Sequence, residues 1–268
     1  MLVGIQGQAG SFHEHVAKQW YGDTAEIAYF TSFANLFDAY EAGDIDAVVA
    51  AVENTLYGSI NDVYQLVERC SAPIIGEVKL PITHNLIARP GAKLGDITEI
   101  YSQIMALSQC HDTVRTLLPM AEMVEYFDTA AAVEYVKSLD SPHAAAIASE
   151  QAAHLHGMTI LRAGVQDDPT NITRFLILED RATDPMANRA SLVITTSHKP
   201  GALAEVLAVF ANAGINLVKL QSQPIPGKPF EYKFFIVVDA AGNTLRSLVA
   251  AIEKSDHQVT LLGEYVAA

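Results

Sequence analysis

Five consecutive residues, Asn171-Ile172-Thr173-Arg174-Phe175, place an amide, a hydroxyl and a guanidinium directly before the apolar run Leu176-Ile177-Leu178. An unpaired polar group in a core costs about 1–3 kcal/mol, so polarity beside a buried strand needs partners or a ligand. If a strand begins at Thr173, alternation puts Asn171, Thr173 and Phe175 on one face and Ile172 and Arg174 on the other. The first face would offer neutral hydrogen-bonding groups to a cleft. Two further junctions have the same character. The apolar run Ala47 to Val52 ends on Glu53-Asn54-Thr55, and Ser59-Ile60-Asn61-Asp62 has the S-x-x-D form of a helix start. In Asp128-Thr129-Ala130-Ala131-Ala132, Asp128 is a good N-cap. Taken singly, Asn54 with Ser59, Thr129, or Asn171 with Thr173 reads as a cap or turn. Three such junctions able to face one cleft point to a small-molecule site, because ligands bind where strand ends meet helix starts in open α/β sheets. These residues do not name the ligand.

Other chemistries lack their residues. His13 with His15, and His154 with His156, lie two apart on predicted helices, where side chains do not share a face. No H-E-x-x-H and no cysteine cluster is present, so no metal site is expected. No G-x-S-x-G marks an activated serine. Gly4 lies in the first strand, and Gly7 and Gly10 follow it in a turn that could aim backbone N–H groups at an anion. Their spacing is not the G-x-G-x-x-G of dinucleotide folds.

The elements that must position these groups alternate between strand and helix. Leu2 to Gln6 reads as a strand and Ser11-Phe12-His13-Glu14 as a capped helix start. Phe33, Leu36, Phe37 and Tyr40 recur at helical spacing and belong to the core. Strands are expected at Ile74 to Leu80, Ile82 to Ala88, Glu99 to Ser102, Met123 to Phe127, Ala144 to Ala148 and Thr159 to Leu161. Helices are expected at Met105 to Leu118, after Asp128, and at Glu150 to His156. Pro81 would mark a crossing from one sheet to another. The alternation argues for parallel sheets covered on both faces. Residues 181–190 lack periodicity and read as a linker. Beyond it the order strand, helix, strand, strand, helix, strand over residues 191–268 is a ferredoxin-like βαββαβ module, with Pro224 to Pro229 as its central hairpin.

The chain has 268 residues and a formal charge of −14. Residues 190–268 hold six basic and six acidic residues, so the whole excess lies before them. Such a field repels nucleic acid and anionic membranes, and an anionic substrate would need a local site. No apolar run approaches the ~20 residues of a membrane span. The first residues carry no secretory pattern, and Cys70 and Cys110 form no C-x-x-C pair. A cytoplasmic protein is the expectation.

Quoted together, several stretches resemble the prephenate dehydratase family, which includes the arogenate dehydratases. They are Gly7-Gln8-Ala9-Gly10-Ser11-Phe12, Val52 to Ile60, Gly76 to Pro81, Asp128 to Ala132 and Asn171 to Phe175. Gly201-Ala202-Leu203 and Gln221-Ser222-Gln223-Pro224 are similar to the two motifs of the family's ACT regulatory domain. The resemblance implies a two-lobed catalytic domain like a type II periplasmic binding protein over residues 1–180, followed by an ACT domain over 191–268. It implies the loss of carbon dioxide and the ring hydroxyl from prephenate, giving phenylpyruvate for phenylalanine synthesis. Aromatisation drives that reaction, so no metal or organic cofactor is called for. It also implies assembly through ACT domains, as a homodimer or homotetramer, with phenylalanine as effector.

By the same resemblance, Thr173 assists departure of the leaving group. Asn54, Ser59, Thr129, Ala130, Asn171 and Phe175 line the substrate cleft. Arg174 is either a binder of the substrate carboxylate or, as strand alternation has it, half of a structural ion pair. Gly201, Ala202, Leu203, Gln221, Ser222, Gln223 and Pro224 form the allosteric set. Some positions depart from the family pattern. Ser102-Gln103-Ile104 stands where Ser-His-Pro is common, Gln8 where proline is usual, and His13-Glu14 where Ser-His or Ser-Glu is common. Gln221 and Gln223 replace a glutamate and an arginine, which argues against ordinary phenylalanine inhibition. The alternatives are an arogenate dehydratase, which would yield phenylalanine directly, and a non-catalytic amino-acid sensor.

Overall fold

Continuous apolar runs set the centre of each layer. Ala47 to Val52 is buried along its whole length, as is the small-residue run Ala144 to Ala148, the mark of strands covered on both faces. The computed structural model describes residues 1–267. The first lobe contains β1 (Leu2–Gln6), α1 (Phe12–Tyr21), β2 (Glu26–Phe30), α2 (Phe33–Ala42), β3 (Ala47–Asn54), β4 (Gly58–Ser59), α3 (Asn61–Arg69) and β5 (Ile74–Pro81). The second contains β6 (Asn85–Ala88), β7 (Glu99–Ser102), α4 (Ile104–Gln109), α5 (His111–Leu117), β8 (Glu122–Glu125), α6 (Thr129–Leu139), β9 (Ala144–Ala148), α7 (Glu150–His156) and β10 (Thr159–Arg162). The chain then returns to the first lobe as β11 (Ile172–Glu179).

The first sheet runs β2-β1-β3-β11-β5 and the second β10-β6-β9-β7-β8. Leaving after Pro81 and returning before Ile172, the chain crosses twice between the lobes, the type II arrangement, and Pro81 does sit at a crossing. The sheets are mixed rather than parallel. The returning strand β11 lies antiparallel to both β3 and β5, and β6 lies antiparallel to β9 and β10. A strand re-entering a finished sheet fills the slot left open, and here that slot is antiparallel.

The third unit contains β12 (Arg189–Thr195), α8 (Ala202–Asn212), β13 (Leu217–Pro224), β14 (Tyr232–Val238), α9 (Gly242–Glu253) and β15 (Gln258–Tyr265). Its sheet order β13-β14-β12-β15 is antiparallel and ferredoxin-like. One face carries α8 and α9, with Phe210 of α8 and Leu248 of α9 packed in a core with Leu192, Ile194 and Ile236 of the sheet. The other face joins the first lobe, where Val193, Phe235, Leu262 and Tyr265 share a core with Val52, Tyr64 and Leu176. The strand β12 opens at Arg189, inside the segment read as linker.

Local capping follows the sequence at Ser11 and Asp128 and fails at Ser59. Ser11, Asp128 and Ser149 each accept a hydrogen bond from the third residue of the helix that follows. Ser59 does not cap α3, whose N-cap is Ile60 without a side-chain bond. Pairing β4 to β3 takes Ser59 away from the helix. The expected helix from Met105 to Leu118 is two helices meeting at Cys110.

Gly76 lies against the indole of Trp20, and a Cβ there would run into the ring. Overpacking of this kind costs about 1–3 kcal/mol. Gly76→Ala should lower stability by that amount, measured as a shift of the urea midpoint at unchanged slope.

Candidate active site

Between the lobes lies a cleft of about 470 Å³ whose lining includes Asn54, Ser59, Thr129, Thr173 and Phe175. Asn54 reaches it through a register shift. Arg174 pairs with Glu53 while Phe175 pairs with Ala51, leaving Val52 as the extra residue of β3. Without that bulge, alternation would turn Asn54 away from the face that carries Ala51. With it, Asn54 stands beside Thr173, and its amide nitrogen donates to Thr173 Oγ1 at 2.9 Å and to Asn171 Oδ1 at 2.7 Å. Its carbonyl accepts from the N–H groups of Leu56 and Tyr57, at 2.9 and 3.3 Å, which ties down the β3–β4 turn.

The chain of amides continues into the second lobe. Asn171 Nδ2 donates to Gln109 Oε1 at 3.1 Å, and the same oxygen lies 2.7 Å from His84 Nε2. An amide oxygen only accepts, so His84 carries its proton on Nε2. Its Nδ1 is buried without a partner. Burial, set against the Gln109 hydrogen bond, lowers the His84 pKa. His13 Nε2 accepts from the N–H of Ala51 at 3.2 Å, which leaves the proton on Nδ1. Burial lowers its pKa to about 4, and its ring sits edge-on to Phe175 at 5.1 Å. Both histidines are thus neutral at physiological pH.

Arg174 is not in the cleft. It lies on the opposite face of β11, where Nη1 meets Glu77 at 3.3 Å, and Nη2 meets Glu53 at 3.1 Å and Tyr64 at 2.9 Å. The bulge belongs to β3 and leaves the alternation of β11 intact, so the carboxylate-binding role is corrected to the ion pair. Ala130 is also absent from the lining, because it packs in the second-lobe core with Ile87, Val133 and Ala152. Asn171 is fully buried and acts through Asn54 and Gln109. The glycine turn offers no free anion site at Gly10, whose N–H donates to Glu14 at 2.5 Å. Gly10 packs against Ala152, and its carbonyl accepts from Ser149, so this turn joins the two lobes.

Gly201, Ala202 and Leu203 border a separate hollow with Lys199, Phe230 and Tyr232. The second allosteric motif does not join them there. Gln221 accepts from Ser59 at 3.0 Å and Gln223 donates to the Asn61 carbonyl at 3.0 Å, both turned towards the first lobe.

His13, His84 and Gln109 were missed as cleft residues in the sequence. His13 and Gln109 lie on helices whose inward turn shows only in three dimensions, and His84 lies in a crossing segment. The departure of His13 from the family's usual serine was the one available signal. Among the described residues, no group of three or more His, Cys, Asp and Glu is placed to hold a metal ion. No helix among them is long and apolar enough to cross a membrane.

The family model for prephenate dehydratase matches residues 3–183, and that for the ACT domain matches residues 190–257. The chain belongs to the prephenate dehydratase family. It is 34% identical to an arogenate dehydratase/prephenate dehydratase of Arabidopsis thaliana, over 98% of this chain and 72% of that one. A crystal structure of prephenate dehydratase from Arthrobacter aurescens, in complex with L-Phe, is 28% identical with a TM-score of 0.89, covering 99% of this chain and 90% of that one. A protein described as GqqA, a novel type of quorum quenching acylase, is equally similar, at 28% identity and TM-score 0.89 over 100% of this chain and 98% of that one. Prephenate dehydratases are hydro-lyases, and the two-lobed domain followed by an ACT unit is the architecture found here.

Arg174→Met should lower stability by about 3–5 kcal/mol, because it strips one partner from the fully buried Glu77. Denaturant unfolding measures it. His13 has a folded pKa near 4 against 6.5 unfolded, so the unfolded chain binds the extra proton between those values. Its contribution to stability is fully present above pH 6.5 and is lost as pH falls through about 4. The urea midpoint should therefore drop over that window, and His13→Gln should flatten the drop.

Proposed function

We propose that this chain catalyses the decarboxylating dehydration of prephenate to phenylpyruvate, with Thr173 at the leaving hydroxyl. The carrying observation is the polarity of the Thr173 hydroxyl. Asn54 donates to Thr173 Oγ1, so the threonine's own hydrogen is left to point elsewhere, and Thr173 lines the cleft. A hydroxyl held in that sense can donate to a departing oxygen. The bond to the ring carboxylate breaks and its electron pair enters the ring. The C–O bond breaks as hydroxide leaves, the Thr173 hydrogen bond stabilises the charge developing on it, and the ring becomes aromatic. The protein's work is to orient the substrate and stabilise that oxygen.

The cleft suits a polar organic acid bound without a permanent cation. Its described lining contains Gln6, Asn54, Gln103 and Gln109 but no lysine or arginine, and its one carboxylate, Asp128, is taken up as the N-cap of α6. Ser11 and Thr129, at the amino ends of α1 and α6, also line it, and helix amino ends favour negative charge. We assign catalysis to residues 1–180 and regulation to the ACT unit that opens with β12 at Arg189, with residues 181–188 joining them. A cytoplasmic location accords with that reaction.

The hollow beside Gly201, Ala202 and Leu203, about 470 Å³ and partly aromatic, supports phenylalanine as effector. Assembly as a homodimer or homotetramer would use the ACT units. The acylase described for one relative would require a nucleophile paired with a base. Neither cleft histidine is bonded to a serine or threonine, since His13 is engaged by Ala51 and His84 by Gln109. The dehydratase reading therefore accounts for more of the site.

Incubation with prephenate and with arogenate, following phenylpyruvate and phenylalanine, tests the assignment. Turnover of prephenate is expected, and negligible turnover of both would overturn the enzyme reading. Thr173→Ala should lower turnover at least ~100-fold, the scale of a positioned donor, in a folded protein. Thr173→Ser should keep most of the activity.

A further inference from the structure

We propose that Lys219 and Gln221, on the edge strand β13 of the ACT domain, are positioning residues of the catalytic cleft, acting through Ser59. This rests on the dehydratase reading of that cleft. Lys219 Nζ lies 2.7 Å from Ser59 Oγ and 2.5 Å from Glu53 Oε1. Its side chain is 9% exposed, and its ammonium sits over the Tyr64 ring at 5.3 Å. A lysine this enclosed is held by its partners, not by solvent. Burial lowers its pKa, opposed by Glu53.

Ser59 completes the link. Its Oγ receives the lysine's hydrogen, and its own hydrogen goes to Gln221 Oε1 at 3.0 Å. Both bonds come from the ACT domain, and together they commit the hydroxyl's hydrogen away from the substrate. Ser59 therefore presents an oxygen lone pair to the cleft. On β3 and β4, Ser59 pairs with Glu53 and Gly58 with Asn54. Two ACT side chains thus pin the short hairpin that aims Asn54 at Thr173. That hairpin is exposed from Thr55 to Gly58; its β3 end is tied at Thr55 to Thr170 and Ile172, and the ACT side chains hold its β4 end at Ser59. The clamp also explains why the glutamine at 221 is tolerated where the family has a charge. A neutral amide oxygen accepts from Ser59 without adding a second carboxylate beside Glu53.

The test is a double-mutant cycle in kcat/KM. Lys219→Met should lower kcat/KM about tenfold, the scale of one hydrogen bond to a charged group. In a Ser59→Ala background the same change should have less than about a twofold further effect, the margin within which independent changes add. Lys219→Arg should recover most of the loss. Lys233→Met is the control, because Lys233 also bridges the ACT unit to the first lobe, through Glu68, but does not touch the hairpin. It should leave kcat/KM within about twofold. Additive losses from Lys219 and Ser59, or an equal loss from Lys233→Met, would overturn the proposal.

Amide hydrogen exchange gives a readout independent of turnover. The N–H groups of Leu56 and Tyr57 should exchange faster in Lys219→Met but not in Lys233→Met, and unchanged exchange would also overturn it. If the wild type turned over no prephenate, the functional reading would fail while the exchange result still decided the clamp. Should Lys219→Met not fold, Gln221→Leu serves in the same cycle, with the same loss of effect expected in the Ser59→Ala background.

Discussion

A carboxylate with no access to water must be paired, and Glu77 is such a group. Its side chain is fully buried, with Arg189 at 2.5 Å, Arg174 at 3.3 Å and Lys79 at 3.7 Å. An isolated buried charge is costly enough that its partners become obligatory. Those partners come from three strands. Lys79 follows Glu77 on β5, Arg174 is on the returning strand β11, and Arg189 opens the ACT unit. Pairing them therefore sets β11 in its slot and docks the ACT sheet on the first lobe. It also decides which way β11 faces. With Arg174 committed to Glu77 and Glu53, Thr173 is left on the cleft side.

The cleft then works mainly with neutral groups, Asp128 being the one carboxylate in its described lining. A run of amides and hydroxyls from His84 through Gln109, Asn171 and Asn54 to Thr173 links the lobes, each donor meeting an acceptor. In a partly buried site such a chain fixes hydrogen-bond direction, and direction is what the Thr173 hydroxyl needs. The histidines contribute shape and single donors, because burial keeps them uncharged. The permanent cations stand one layer back. Lys219 reaches the cleft only through Ser59, and Arg174 only through the strand it anchors.

Much of the element order was legible in the residues. Alternating apolar runs and caps located most helices and strands, Pro81 marked the crossing, and the βαββαβ order of the last unit followed from periodicity. The site was legible where chemistry and backbone position coincide, as at Asn54, Thr129 and Thr173. Misreadings arose where a distant element took the residue. Ser59 looked like a cap but belongs to β4, held by Lys219 and Gln221. Gln221 and Gln223 looked like effector groups, yet both face the first lobe. Ala130 sits beside Thr129 in sequence but packs in the core.

Sequence alone determined the family, the two-part organisation, and the opposition of Thr173 and Arg174, because strand alternation is local and has a period of two. Only the tertiary structure decided the rest. The bulge that turns Asn54 into the cleft depends on how β3 pairs with a strand more than a hundred residues later. The two arginines that meet Glu77 and the two ACT side chains that meet Ser59 lie about as far or farther along the chain. Such contacts leave no periodic trace in the residues that make them, so they appear only when the lobes and the ACT sheet are packed together.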